Sequence, residues 1–222
     1  MKNKSKTQKK IFHFVSLFPE MVESYLNYSI LKRAKEDEKI DFRFYNPRDF
    51  TEDRLRRIDK RPYGGGPGMV IEAMPVILAV KKALGKKDNK KVKIIWTSPR
   101  GKLFTNDIAK KLAKKYDEFI FISGRYEGID ERAKKILKAE SYSIGDYVLT
   151  GGELPSMVMT DAISRQIDGV LGSDDSIEEK RLASGAVYTR PDTLKYAGKS
   201  HKVPKVLKNG NHKEIDKWRL DH

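Results

Sequence analysis

The segment VKIIWTSPRGKLFTNDIAKKLAKKYDEFIFISGRYEGID, residues 92–130, decides the fold. Its first six residues, 92–97, and a second run at 118–123 are rich in Ile, Val or Phe and close on Ser, Pro or Gly, as strands do. Between them, 104–116 places apolar residues at three- and four-residue spacing, the period of a helix. The same alternation extends in both directions. Residues 11–18 and 40–45 read as strands, and 20–37, 73–85, 129–139 and 155–167 as helices, with Pro75 and Pro155 suited to first-turn positions. Strands alternating with helices predict an α/β fold with a mostly parallel sheet.

The chain has 222 residues, 46 Lys and Arg against 31 Asp and Glu, a formal charge of +15, and no cysteine. That length fits one domain with a small appendage, since domains usually run about 100–200 residues. Without cysteine there are no disulfides, thiolate zinc sites or iron–sulfur clusters, and His13, His201, His212 and His222 lack ligand spacing, so no metal site is expected. No run approaches the ~18 apolar residues of a membrane span. The basic stretch 1–10 reads as a disordered tail of a cytoplasmic protein, because His13, Ser16, Pro19 and Glu20 break the apolar run that a signal peptide would need. The excess positive charge fits a polyanionic partner, most often nucleic acid, although a Lys-rich proteome would produce the same excess. The basic run 81–93 reads as a solvated loop between a helix and a strand.

Residues 11–171 hold the candidate core. From Gly172 the chain turns polar (GSDDSIEEKRLASG), so 172–187 reads as a flexible linker, and 188–222 has too few apolar residues for a core of its own. There Ile215, Trp218 and Leu220 suit a short helix packed on the main domain.

Three loops fall where open parallel sheets place ligands, after strands. In 59–69 (DKRPYGGGPGM), glycines between Pro62 and Pro67 let backbone approach a planar ligand, with Asp59 and Arg61 beside it; a tight connecting loop would have the same composition. In 123–130, Gly124, Tyr126, Glu127 and Gly128 lie at the end of an apolar strand, suited to an adenosine or simply to a helix entry with acids near its positive end. In 143–155 (SIGDYVLTGGELP), Gly145, Gly151, Gly152 and Pro155 wrap Tyr147, Val148 and Leu149, unusual content for mere surface. Arg165 follows on the next helix, where an ordinary surface ion pair is the plain alternative. Neither a GxxxxGK[ST] phosphate loop nor a GxGxxG fingerprint occurs.

Taken together, SLFPEM (16–21), NPRDF (46–50), RPYGGGPGM (61–69), GRYEGIDER (124–132), SIGDYVLTGGELP (143–155), DAISR (161–165), YTRP (188–191) and NH…I–KWR (211–219) resemble the bacterial tRNA (guanine-N1)-methyltransferases. These belong to the superfamily with a deep trefoil knot at the cofactor site. The resemblance covers almost the whole chain and implies a homodimer whose active site forms between subunits. It further implies methyl transfer from S-adenosyl-L-methionine to the guanine at tRNA position 37, next to the anticodon. By motif match the cofactor would contact Trp96, Thr97, Ser98 and Pro99; Gly124, Tyr126, Glu127 and Gly128; and Ser143, Ile144, Gly145, Asp146, Tyr147, Val148, Leu149, Gly151, Gly152 and Pro155. Asp59, Arg61 and Gly68, with Arg165, would place the base, and 188–222 would be a short helical tRNA-binding domain. A divalent ion such as Mg2+ is compatible with the family, but no ligand cluster is legible.

Guanine N1 carries a proton and attacks a methyl group poorly until it leaves, so a base is needed, with a cation near O6. Arg165 matches the residue of that second role. The family's proposed base is a linker aspartate, and here its position holds Lys180, in a linker about four residues shorter. Lysine is protonated near neutral pH, so Glu179, then Glu178, becomes the expected base. Asp174, Asp175, another group or water remain alternatives. The chain also stops soon after the KWR motif, which predicts a reduced tRNA-binding appendage. The altered linker keeps open a knotted methyltransferase with another RNA target and a catalytically impaired RNA-binding relative.

Overall fold

A computed structural model describes residues 8–85, 91–171 and 186–221. It divides into two compact units, Met1–Leu171 and Gly172–His222. In the first, strands β1 (Lys10–Val15), β2 (Ile40–Tyr45), β5 (Val92–Leu103), β6 (Glu118–Ile122) and β7 (Glu140–Ser143) form one sheet in the order β2-β1-β6-β5-β7. Every pairing in it is parallel, in line with the α/β fold and parallel sheet that the alternation of strands and helices predicts. A two-stranded antiparallel arm, β3 (Asp59–Lys60) and β4 (Val70–Ile71), stands apart.

Helices cover both faces, which is why the strands read as nearly continuous apolar runs. Phe12, Phe14, Phe119 and Phe121 point to one face, where Phe12 stacks on its register partner Phe119 and Phe14 on Phe121. That face packs against α1 (Pro19–Leu26), α2 (Ser29–Glu36), α4 (Asn106–Lys115) and α6 (Glu153–Ser164). Val15, Trp96, Ile120 and Ile122 face the other way, against α3 (Ala73–Leu84) and Ala133 of α5 (Glu131–Leu137).

Three expectations need correction. The helix expected over 20–37 is two helices, because Asn27 ends α1 and Ser29 takes a positive φ of 52° as α2 begins. Lys10 does not belong to a tail: it opens β1, donating to the Tyr116 carbonyl and to Asp117, each at 2.8 Å. The second unit is not simply helical. It holds a hairpin, β8 (Thr193–Tyr196) and β9 (Lys199–Lys202), before helix α7 (His212–Asp221), on which Ile215 is buried and Trp218 faces Tyr188 at 6.1 Å. Residues 1–7, 86–90, 172–185 and 222 lie outside the described residues, and with them Glu178, Glu179, Lys180 and the middle of the basic 81–93 run, Lys86, Lys87 and Lys90.

Candidate active site

Because all five strands run the same way, their carboxyl ends share one edge of the sheet. There β5, β6 and β7 open into a cleft of about 750 Å3. The β5 wall comes from a bulge: Tyr142 of β7 is register partner to both Thr97 and Lys102, so residues 98–101 swing out of the ladder. The second wall is the loop after β6, residues 124–129, and the third is the loop after β7, residues 147–152 with Pro155.

The loops interlock by backbone. Gly152 N–H donates to the Gly124 carbonyl at 2.9 Å. A Cβ on Gly152 would overlap Thr97 Oγ1 and lie 2.7 Å from Ser123 Cα, so only glycine lets the β7 loop pass this close to β5 and β6. Pro155 then falls in the first turn of α6. Glu153, one residue past Gly152, is 1% exposed; it accepts from Ser16 Oγ at 2.7 Å and pairs with Arg125 Nε at 3.0 Å. Arg125 also lies over the Phe18 ring, 4.8 Å from its centroid.

Sixteen expected cofactor positions line the cleft: Trp96, Thr97, Ser98, Pro99, Gly124, Tyr126, Glu127, Gly128, Ser143, Ile144, Tyr147, Val148, Leu149, Gly151, Gly152 and Pro155. Gly145 and Asp146 do not; they sit in the bend where Ser143 Oγ donates to the Gly145 carbonyl at 2.8 Å. The arm carrying Asp59, Arg61 and Gly68 is outside the lining but bonded to it. Glu127 N–H donates to the Met69 carbonyl and Ile71 N–H to the Gly128 carbonyl, both at 3.0 Å. Gly68, at φ +83°, faces Glu127 so closely that a Cβ there would lie 2.7 Å from its Cγ. Asp59 pairs across the arm with Ile71, Arg61 is exposed, and the tip residue Tyr63 is fully exposed.

Arg165 caps the far end of α6 and is half-buried, outside the cleft lining. The α-helical rise of about 1.5 Å per residue puts it about 18 Å along the axis from Glu153, at the opposite end of α6 from the cleft loops.

The cleft also contains residues that the sequence did not single out. Arg125 and Thr150 lie inside recognised motifs and adjoin their glycines, a signal that was available. Arg100 follows the SP pair at 98–99 directly. Ser141 and Tyr142 carry no such signal, because β7 is short and polar. Burial and the Glu140 carboxylate, which accepts from the Tyr142 hydroxyl at 2.7 Å, push that phenol above its ordinary range, so it stays protonated. Burial acts to raise Glu140 itself, but Lys93 and Tyr142 outweigh it and hold the carboxyl down. Among the described residues, no group of three or more His, Asp or Glu is placed to hold a metal ion, and no helix is long and apolar enough to cross a membrane.

The volume, the mixed apolar and polar lining and the glycine-narrowed walls fit a small-molecule ligand. A parallel sheet with such a cleft at its carboxyl edge defines the class of open α/β ligand-binding enzymes. The sequence matches the family described as "tRNA (Guanine-1)-methyltransferase TrmD" over residues 10–222, and the chain belongs to that family. It is similar to proteins named tRNA (guanine-N(1)-)-methyltransferase from several bacteria. Identity is 45% over 210 residues with that of Marinomonas sp. (strain MWYL1), covering 93% of this chain and 81% of the relative. It is 42% over 214 residues with that of Clostridioides difficile (strain 630), covering 95% and 90%. With that of Photobacterium profundum it is 46% over 211 residues, covering 93% and 82%.

Proposed function

We propose that this chain is a cytoplasmic homodimer that methylates N1 of guanine 37 in tRNA, drawing the methyl group from S-adenosyl-L-methionine. The observation that carries the reading is the interlocked cleft, in a chain of this family. S-adenosyl-L-methionine supplies an electrophilic sulfonium methyl when bound, and the loops 96–99, 124–128 and 143–152 with Pro155 would hold it. The close passage of the 151–152 backbone past Thr97 and Gly124 supports the trefoil-knotted arrangement that the family implies.

The chain's own residues then act on the guanine. A carboxylate, Glu179 or else Glu178, takes the N1 proton, and Arg165 sets its cation beside O6 as negative charge develops there. A shared site supports the dimer, since Arg165 stands a helix length from its own cleft and would serve that of a second copy. Met21 and Tyr25 of α1 and Leu154 and Val158 of α6 are exposed apolar residues on two packed helices, joined where the Tyr25 hydroxyl donates to Asp161 Oδ2 at 2.9 Å. They suit such an interface. The arm 59–69 would place the base, and the unit from Gly172 onward would grip the tRNA.

Transfer of labelled methyl to two tRNA transcripts that differ only at position 37 tests this. Label on the guanine transcript alone is expected. Label on an adenine transcript as well places the target elsewhere, and label on neither, with cofactor bound, means the chemistry is lost.

A further inference from the structure

In the hairpin of β8 and β9, the two-residue turn Ala197–Gly198 has both φ angles positive, 49° and 73°, as a tight ribbon requires. Every hairpin residue except Thr193 is exposed. A two-stranded ribbon with no buried face is marginal alone, and this one spends its surface in a particular way. Register pairs Leu194 with His201 and Tyr196 with Lys199, so these four share one face, and Tyr196 is 74% exposed beside the turn. Lys195 and Lys202 lie on the other face. From Thr193 to Lys213 the sequence has six lysines and no Asp or Glu.

An aromatic ring flanked by cations, with no anion on the ribbon, fits a single-stranded nucleic-acid segment, whose bases stack and whose phosphates pair with lysine. A second copy of this chain fits poorly, since it carries a charge of +15 and offers the same cations. We propose that the β8–β9 hairpin is an RNA contact, with Lys195, Lys199 and Lys202 on phosphates and Tyr196 stacked on an unpaired base. This rests on the tRNA reading above and extends it to named residues.

The experiment is equilibrium binding of a tRNA transcript to the full chain at several salt concentrations, with S-adenosylhomocysteine affinity and oligomeric state measured in parallel. Tyr196→Ala should weaken tRNA binding about tenfold with an unchanged salt slope, and Tyr196→Phe should restore it. The triple variant Lys195→Ser, Lys199→Ser, Lys202→Ser should flatten the slope of log affinity against log salt by about two to three units. S-adenosylhomocysteine affinity should be unchanged in all of them. If wild type binds tRNA and these variants bind it equally well, the hairpin inference falls while the methyltransferase reading stands. If the variants change oligomeric state instead of RNA affinity, the ribbon is a protein contact and the inference again falls. Wild type that binds no tRNA overturns both.

Discussion

Glu153 Oε2 lies 3.0 Å from Nε of Arg125, and the pair bolts two walls of the cleft together. Arg125 belongs to the loop after β6 and Glu153 to the first turn of α6, where the positive helix end also favours a carboxylate. Ser16 Oγ, donating to Glu153 Oε1, fastens the bolt to the end of β1, and Phe18 covers the guanidinium. The pair is thus a support for the ligand loops rather than a surface ion pair.

Glu153→Gln should therefore act on both binding and stability. Removing one partner of a buried pair strands the other's charge, at a cost on the order of 3 kcal/mol. We expect a lower urea midpoint and about tenfold weaker S-adenosylhomocysteine binding by calorimetry. Glu118→Gln, which alters the carboxylate 2.9 Å from the buried His13 Nε2 and lies outside the cleft lining, serves as the comparison: it should lower the midpoint and leave the affinity unchanged. Equal affinity losses in both variants would make the bolt merely structural.

The large strands were legible because both faces of the sheet are buried, which forces the Ile- and Phe-rich runs of β5 and β6. Strand β7, read as ESYS, was not, since a four-residue edge strand keeps polar side chains. The hairpin escaped for the same reason, being almost wholly exposed. In the cleft, loops needing glycine announced themselves, whereas buried Glu153 did not. Its partner Arg125 is 28 residues away, and local spacing carries no trace of such a pair.

Gly152→Ala tests the close passage of the loops. The added Cβ overlaps Thr97 Oγ1 and crowds the Ser123 and Gly124 backbone, which cannot rotate away. Overpacking of this kind costs about 1–3 kcal/mol, so S-adenosylhomocysteine affinity should fall at least about fivefold. Calorimetry showing wild-type affinity would mean the loop has room that the geometry denies.

Acid stability should depend on Asp117, which holds Lys10 of β1 at 2.8 Å and Lys91, just before β5, at 3.1 Å. Burial acts to raise its carboxyl, but hydrogen bonds from the two lysines outweigh that and hold it below its ordinary value. The folded state therefore binds this proton less readily than the unfolded chain, whose aspartates titrate near about pH 3.9. The contribution is present above that value and fades as pH falls through the lower folded one. Asp117→Asn should be less stable than wild type at pH 7, and the gap between their urea midpoints should close towards pH 3. A gap that stays constant would show that the aspartate's charge contributes nothing.

The expectation that Lys180 replaces the family's proposed base, leaving the role to a neighbouring glutamate, gives the last prediction. General base catalysis contributes about 100- to 10,000-fold, so Glu179→Gln should slow single-turnover methylation by at least about 100-fold if Glu179 accepts the N1 proton. The loss should shrink as pH rises, because deprotonation of guanine by solvent then competes with the missing carboxylate. Glu178→Gln should have the smaller effect. Arg165→Lys should slow the same step while leaving S-adenosylhomocysteine affinity intact, since Arg165 stands outside the cleft lining of its own chain. An unchanged rate in Glu179→Gln, together with a large loss in Glu178→Gln, would move the role by one residue. Unchanged rates in both would remove these linker glutamates from the chemistry.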